Sequence, residues 1–155
     1  MTPAVNAVRK ARVVYQIHEY AHDASSASYG LEAAEKLDVA EERVFKTLVV
    51  SLDSTALAVA VIPVSSMLSM KLVAKAAGAK KATMAEPAAV ERSTGYVLGG
   101  VSPLGQKKRL KTIIDSAASD HPTVYVSAGR RGLEIELGPG DLAELTGASF
   151  AGICQ

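Results

Sequence analysis

Cysteine and tryptophan are almost missing from this chain of 155 residues: one Cys and no Trp. A single thiol forms no intramolecular disulfide and no Cys-based zinc site. Cys154 also lies at the very end of the chain, where termini fray, so it is not expected to act as a nucleophile. Aromatic residues make up only 5% of the chain, leaving the core to Val, Ile, Leu and Ala. Neither sign of charge prevails: 17 Lys+Arg face 16 Asp+Glu, for a net +1. That balance excludes a basic coat holding nucleic acid by charge alone and leaves only a local patch. The longest apolar run, Ala56 to Val64, falls far short of the ~20 residues of a membrane helix. The opening MTPAVNAVRK has no basic stretch leading into an apolar one, so a secretory signal is not expected. The expectation is a soluble protein in a reducing, cytoplasmic setting. His18, His22 and His121 lack ligand spacing. They are expected to face solvent, with no metal and no cofactor.

What is present describes one folded domain over 1–155, with 48% hydrophobic and 21% charged residues. Thr2-Pro3 predicts a helix start, and the helix runs to about Ala11. Val13 to Tyr20 alternates as a strand, with Val13, Tyr15 and Ile17 on one face and Gln16, His18 and Tyr20 on the other. Residues 21–29 read as a polar loop, and a short helix follows Gly30. Val44–Leu52 and Ala56–Pro63 are β-branched, nearly all-apolar strands joined by Asp53-Ser54-Thr55. Such runs belong in a sheet covered on both faces. Ser69 caps a helix ending at Gly78, and Pro87 starts another that stops at Gly95. Thr112–Asp115, Thr123–Ser127 and Leu133–Leu137 are three more strands, the last two joined by a turn at Gly129–Gly132. On the last strand Leu133, Ile135 and Leu137 share one face, and Glu134 and Glu136 the other. Asp141 is expected to cap a final helix, with an edge strand in 148–153. The expected fold is α/β (α+β): a central mixed, largely antiparallel sheet surrounded by short helices.

Three features do not fit a plain core. Lys46 shares a face with Val44, Leu48, Val50 and Leu52 in a strand that otherwise reads as buried, and lysine is rarely buried unpaired. Either its ammonium snorkels to water or it stands at the mouth of a pocket as a charge stabiliser or proton donor. Thr94 to Gly105, TGYVLGGVSPLG, carries four glycines and a proline in twelve residues. It is either a structural turn or a backbone that approaches a ligand and aims N–H groups at an oxyanion. It matches neither the dinucleotide nor the phosphate-loop consensus. Directly after it comes QKKRLK, whose Lys107, Lys108 and Arg109, together with Arg130 and Arg131, form either a solvated face or a basic lip for a polyanion such as tRNA.

These residues belong to a longer pattern. TPA, Tyr20, VFKTL around Lys46, MAEP, RSTGYVLGGVSPLGQKKRL, TIID, YVSAGRRGLEIEL and GDLA follow one another in order across the chain. Together they resemble the YbaK family of aminoacyl-tRNA deacylases, in its Cys-tRNA(Pro) branch, and the fold class expected above is that family's editing-domain fold. The resemblance implies trans-editing: removal of cysteine wrongly attached to tRNA(Pro), with Cys-tRNA(Cys) as a further substrate. Such a second sieve is needed because a synthetase pocket rejects near-isosteric amino acids by only ~1–3 kcal/mol. The resemblance makes Lys46 essential. It places the GxxxP element Gly99–Pro103, including Ser102, around the substrate, with Tyr20 and Gly100 at further pocket positions. It also puts Glu134 where the family commonly has Asp.

No Ser-His-Asp or Cys-His set stands out among these residues. The resemblance implies instead that the substrate's own thiol attacks its ester carbonyl and leaves as a cyclic thiolactone. The protein then holds the attack geometry and stabilises the oxyanion. Backbone N–H groups of Gly99, Gly100 and Val101 are the candidate donors, while Pro103 shapes the loop. Lys46 either binds the terminal ribose or phosphate or eases departure of the hydroxyl. Prolyl-tRNA synthetase is the partner the family implies. The alternatives are a deacylase for another small amino acid, such as Ala-tRNA(Pro), and a non-catalytic aminoacyl-tRNA-binding module.

Overall fold

In the computed structural model, which describes residues 1–26 and 28–155, the Thr2 hydroxyl accepts from the Val5 N–H and starts helix α1 (Pro3–Ala11). Ala4, Val5 and Val8 are its buried face. Strand β1 (Tyr15–Glu19) follows, and then helix α2 (Tyr29–Leu37), capped by Ser28. The helix thus begins at Tyr29, inside the loop expected over 21–29, and position 27 of that loop lies outside the described residues. Gly30 faces Val64 so closely that an added Cβ would lie 2.3 Å from its Cγ1. Only glycine lets α2 approach there.

Strands β2 (Phe45–Leu52) and β3 (Ala56–Pro63) form the expected hairpin. Asp53 and Ser54 both adopt positive φ, and the Thr55 N–H donates to Leu52 O within the three-residue connection. Helix α3 (Met70–Ala76), capped by Ser69, leads to strand β4 (Ala82–Met84), which the sequence pattern did not reveal. Helix α4 (Pro87–Thr94) ends at Gly95. Strands β5 (Lys111–Asp115), β6 (Val124–Arg130) and β7 (Leu133–Leu137) come next, then helix α5 (Pro139–Thr146) and strand β8 (Ser149–Ala151). Two boundaries differ from expectation. β6 runs on to Arg130 through an irregularity after Ser127, so the turn is tighter than Gly129–Gly132. Helix α5 starts at Pro139 with Gly138 as its cap, because proline suits the first helical turn. Asp141 therefore sits inside the first turn and does not cap it.

The strands form two sheets, ordered β4-β2-β3-β5-β8 and β1-β7-β6. The first is mixed, since β5 lies parallel to both β3 and β8; the second is wholly antiparallel. As expected, β2 and β3 are covered on both sides. Phe45, Val49, Val59 and Val61 join a core shared with α1 and the small sheet. Val50, Ala58, Ala60 and Ile62 join a second core under α3. Val44 bridges to Tyr125 where the sheets meet.

The carboxyl end is not frayed. Ile153 is fully buried, its N–H donates to Asp115, and Gln155 N–H donates to Met67 O. Among the described residues, no helix is long and apolar enough to cross a membrane.

Candidate functional site

Strand β4 pairs with β2 only from Val50 to Leu52, so Phe45–Leu48 keeps an edge with no strand partner in its own sheet. Beyond the Val44–Tyr125 bridge a cavity of about 300 Å³ opens against this edge. Phe45, Lys46, Thr47 and Leu48 form one wall; Tyr20, Ser127 and Glu134 stand on the small sheet's side; the start of α2 (Ser28, Tyr29 and Gly30) with Leu98, Gly99, Val101, Arg130 and Arg131 completes the lining.

Lys46 is half-buried, and its ammonium has no ion pair among the described residues. Pairing with Ile62 holds its backbone rigid, so the charge is carried on a fixed strand. Glu134 faces the cavity because β7 alternates: Leu133, Ile135 and Leu137 fill the core. The residue is only 7% exposed, and burial pushes its carboxyl up to about 8. Tyr20 is likewise pushed up to about 12, by burial first and the nearby Glu134 second.

The glycine loop lies against the cavity through Leu98, Gly99 and Val101. Gly99 has φ +90, and a Cβ there would lie 2.6 Å from Arg131 Nε and 2.7 Å from Tyr29 Cε2. The Arg131 guanidinium lies 3.7 Å above the Tyr29 ring, and its Nη2 donates to Leu98 O at 3.4 Å. Loop, α2 and the β6–β7 turn are thereby clasped together. Gly100 N–H is already donated to Val97 O, which removes it from the oxyanion donors expected from the sequence. The N–H groups of Gly99 and Val101 have no acceptor among the described residues and remain available.

The structure therefore gathers Tyr20, Lys46, Gly99, Val101, Arg130, Arg131 and Glu134, and sets other expected residues elsewhere. Ser102 is fully buried, and its Oγ accepts from the Leu104 N–H. Pro103, Lys108 and Arg109 line a second cavity of about 220 Å³. Lys107 is exposed, and the Arg109 guanidinium packs over Gly147 at the C-terminal cap of α5. The basic lip expected from the sequence is thus divided: Arg130 and Arg131 border the first cavity, and the lysine run does not. His18 and His22 do not stand free in solvent. His18 Nε2 lies 2.9 Å from Glu136 Oε1 and His22 Nδ1 lies 2.6 Å from Glu32 Oε1. Cys154 is pushed up to about 11 by burial and then by the Asp115 carboxylate, so its thiol stays protonated and unreactive.

Three contributors escaped the sequence reading. Ser127 pairs with Glu134 in the β6–β7 register. Tyr29 carries Arg131. The Thr47 hydroxyl is buried with no hydrogen-bond partner among the described residues. Thr47 sits inside VFKTL beside Lys46; the other two contacts depend on registers that no local motif encodes.

The model of the aminoacyl-tRNA editing domain matches residues 25–145. This chain belongs to that family. A protein of Enterococcus faecalis, EbsC, named as a candidate Cys-tRNA(Pro)/Cys-tRNA(Cys) deacylase, is 40% identical over 152 residues, 98% of this chain and 92% of its own. A solved structure described as a candidate trans-editing enzyme for prolyl-tRNA synthetase superposes with a TM-score of 0.83 at 22% identity, covering 100% of this chain and 99% of its own. A solved hypothetical protein reaches a TM-score of 0.87 at 25% identity, covering 99% of each chain. The fold is that of the editing domain, as the sequence pattern implied.

Proposed function

We propose that this member of the editing family is a deacylase that removes cysteine from mischarged tRNA(Pro), with Cys-tRNA(Cys) as a further substrate. The observation that carries the reading is the 40% identity, over nearly the whole chain, to a protein named for that activity. The cavity supports it. Among the described residues its lining includes no histidine and no cysteine, so neither a Ser-His nor a Cys-His pair can form there. Chemistry in which the substrate brings its own nucleophile suits such a cavity.

In this reading the cysteinyl sulfur attacks the ester carbonyl carbon, and the N–H groups of Gly99 and Val101 meet the developing oxyanion. The carbon–oxygen bond to the terminal ribose then breaks. The released 3′-oxygen takes up the proton lost by the thiol, and a cyclic thiolactone departs. Lys46 stabilises the negative charge that passes from sulfur to carbonyl oxygen to leaving oxygen. Tyr20 and Glu134 bind the aminoacyl group, and Gly100, Ser102 and Pro103 hold the shape of the loop. Arg130 and Arg131 meet the terminal phosphodiester, while Lys107, Lys108 and Arg109 lie farther along the tRNA. With a net charge of +1 the domain binds the tRNA body weakly, and prolyl-tRNA synthetase supplies the selection.

Turnover on cysteinyl-tRNA(Pro) and alanyl-tRNA(Pro), with the released acyl product identified by mass spectrometry, tests the proposal. Fast release of cysteine thiolactone with little action on the alanyl ester is expected. Preference for the alanyl ester would reassign the substrate, and binding of both without turnover would make the domain a carrier.

A further inference from the structure

The cavity holds one carboxyl group and three cations that do not pair with it. Glu134 stands on the small sheet's side, nine-tenths buried, with no hydrogen bond or ion pair from any described residue. Five other charged or titratable groups line the same cavity: Tyr20 after β1, Tyr29 at the start of α2, Lys46 on β2, Arg130 at the end of β6 and Arg131 in the following turn. None of the three cations comes within 4 Å of the Glu134 carboxylate. His18, opposite Glu134 in the β1–β7 register, turns its ring to Glu136. Burying a carboxyl without a partner is costly, and a fold that needed only a filled space would place an apolar residue there. The described residues supply no cation for it, and a cation carried by the ligand would fill that place.

We infer that Glu134 is the specificity determinant for a free α-ammonium group, so that the protein accepts aminoacyl esters and rejects their N-acylated or peptidyl counterparts. The ligand is then bound at both ends, its ammonium on Glu134 and its ribose-phosphate toward Lys46, Arg130 and Arg131. This assignment rests on the deacylase reading only for the identity of the ester. It carries a protonic consequence. Burial keeps the empty carboxyl largely neutral at pH 6.5, where an α-amino group is charged. Formation of the pair therefore ionises Glu134, and its proton passes to solvent.

The test is calorimetric binding of 3′-cysteinylamino-3′-deoxyadenosine, an amide mimic of the charged tRNA end, and of its N-acetylated form, at pH 6.5 in buffers of different ionisation enthalpy. The wild type is expected to bind the free amine about ten- to a hundredfold more tightly and to release close to one proton. Glu134→Gln, which resembles the neutral acid, should bind both forms alike and release none. Glu134→Asp should keep a weaker preference. Equal binding of the two forms by the wild type, absence of proton release, or a preference undiminished in Glu134→Gln would overturn the assignment. The wild-type measurements decide it even if the glutamine variant fails to fold. Preference for the free amine without turnover of cysteinyl-tRNA(Pro) would uphold this inference and sink the deacylase reading. Undiminished turnover of N-acetyl-cysteinyl-tRNA(Pro) would do the reverse.

Discussion

Glu134 and Glu136 stand two residues apart on one face of β7, and their surroundings drive them in opposite directions. Glu136 faces an outer network in which Thr123 Oγ1 donates to its Oε2 at 2.5 Å, His18 Nε2 lies at 2.9 Å and Arg43 Nη2 at 3.5 Å. Burial alone would raise it, but the bonds from Thr123, His18 and Tyr125 outweigh burial and hold it below the usual carboxylate range. Glu134 has none of these partners and is pushed up to about 8. The difference separates what holds the protein together from what waits for a ligand: a satisfied polar group stabilises the fold, and an unsatisfied one sits in a binding cavity. Lys46 and Thr47 fall with Glu134 on this division, and Arg43 and His18 with Glu136.

The largest effect that would expose the division is on turnover. Lys46→Ala removes a charge held on a fixed strand; deacylation of cysteinyl-tRNA(Pro) should fall roughly 100–1,000-fold while the melting temperature stays close to wild type. Lys46→Arg should rescue poorly, because a planar guanidinium does not fit a site shaped for an ammonium. Unchanged turnover in the alanine variant would move Lys46 to the structural side.

The next effect is on stability and has opposite pH signatures at the two glutamates. Glu134 is raised in the folded state, so the folded state binds its proton more tightly than the unfolded chain does. Its contribution is fully present below the unfolded carboxylate range and is lost as pH climbs toward 8. Glu134→Gln should therefore gain on the wild type as pH rises, by on the order of 5 kcal/mol or roughly 10–20 °C at pH 9. Glu136 is lowered, so its contribution is present above that range and lost in acid. Glu136→Gln should cost about 1–2 kcal/mol at pH 7 and almost nothing at pH 3, with turnover kept. Thermal melts across pH 3–9 check both signs.

The smallest effect is at the thiol. Cys154→Ser should leave turnover within about twofold of wild type, since a protonated, half-buried thiol outside the cavity lining supplies no nucleophile. A large fall in rate with the fold intact would show that the protein provides the attacking sulfur.

Much of this was legible in the sequence wherever a local rule decides the outcome. Thr2-Pro3 starts a helix, Asp53-Ser54 turns a hairpin, Ser69 caps α3, and the alternation of β7 sends Glu134 away from the core. Lys46 and the glycine loop stood out because their types contradict their surroundings. What was not legible depends on registers between distant strands. The division into two sheets follows from the partners β1 and β6 find on β7. The short β4 is paired only at the end of β2, and Ser127 meets Glu134 only through the β6–β7 register. The basic run was misplaced for the same reason. Lys107 to Arg109 follow the glycine loop directly in sequence, yet the chain turns at Pro103–Gly105 and carries them to the other side of it. The frayed end expected at Cys154 is pinned by Asp115, 38 residues away from Ile153 in the chain.

The central claim, that the cavity serves the chemistry and the outer network serves the fold, is tested most directly by one paired measurement. Single-turnover deacylation of cysteinyl-tRNA(Pro) and thermal melting are recorded on the same preparations of wild type, Lys46→Ala and Glu136→Gln at pH 7. The account predicts a crossed pattern: Lys46→Ala loses rate and keeps its melting temperature, and Glu136→Gln keeps its rate and melts lower. Both variants losing rate and stability together, or Lys46→Ala turning over like wild type, would contradict it.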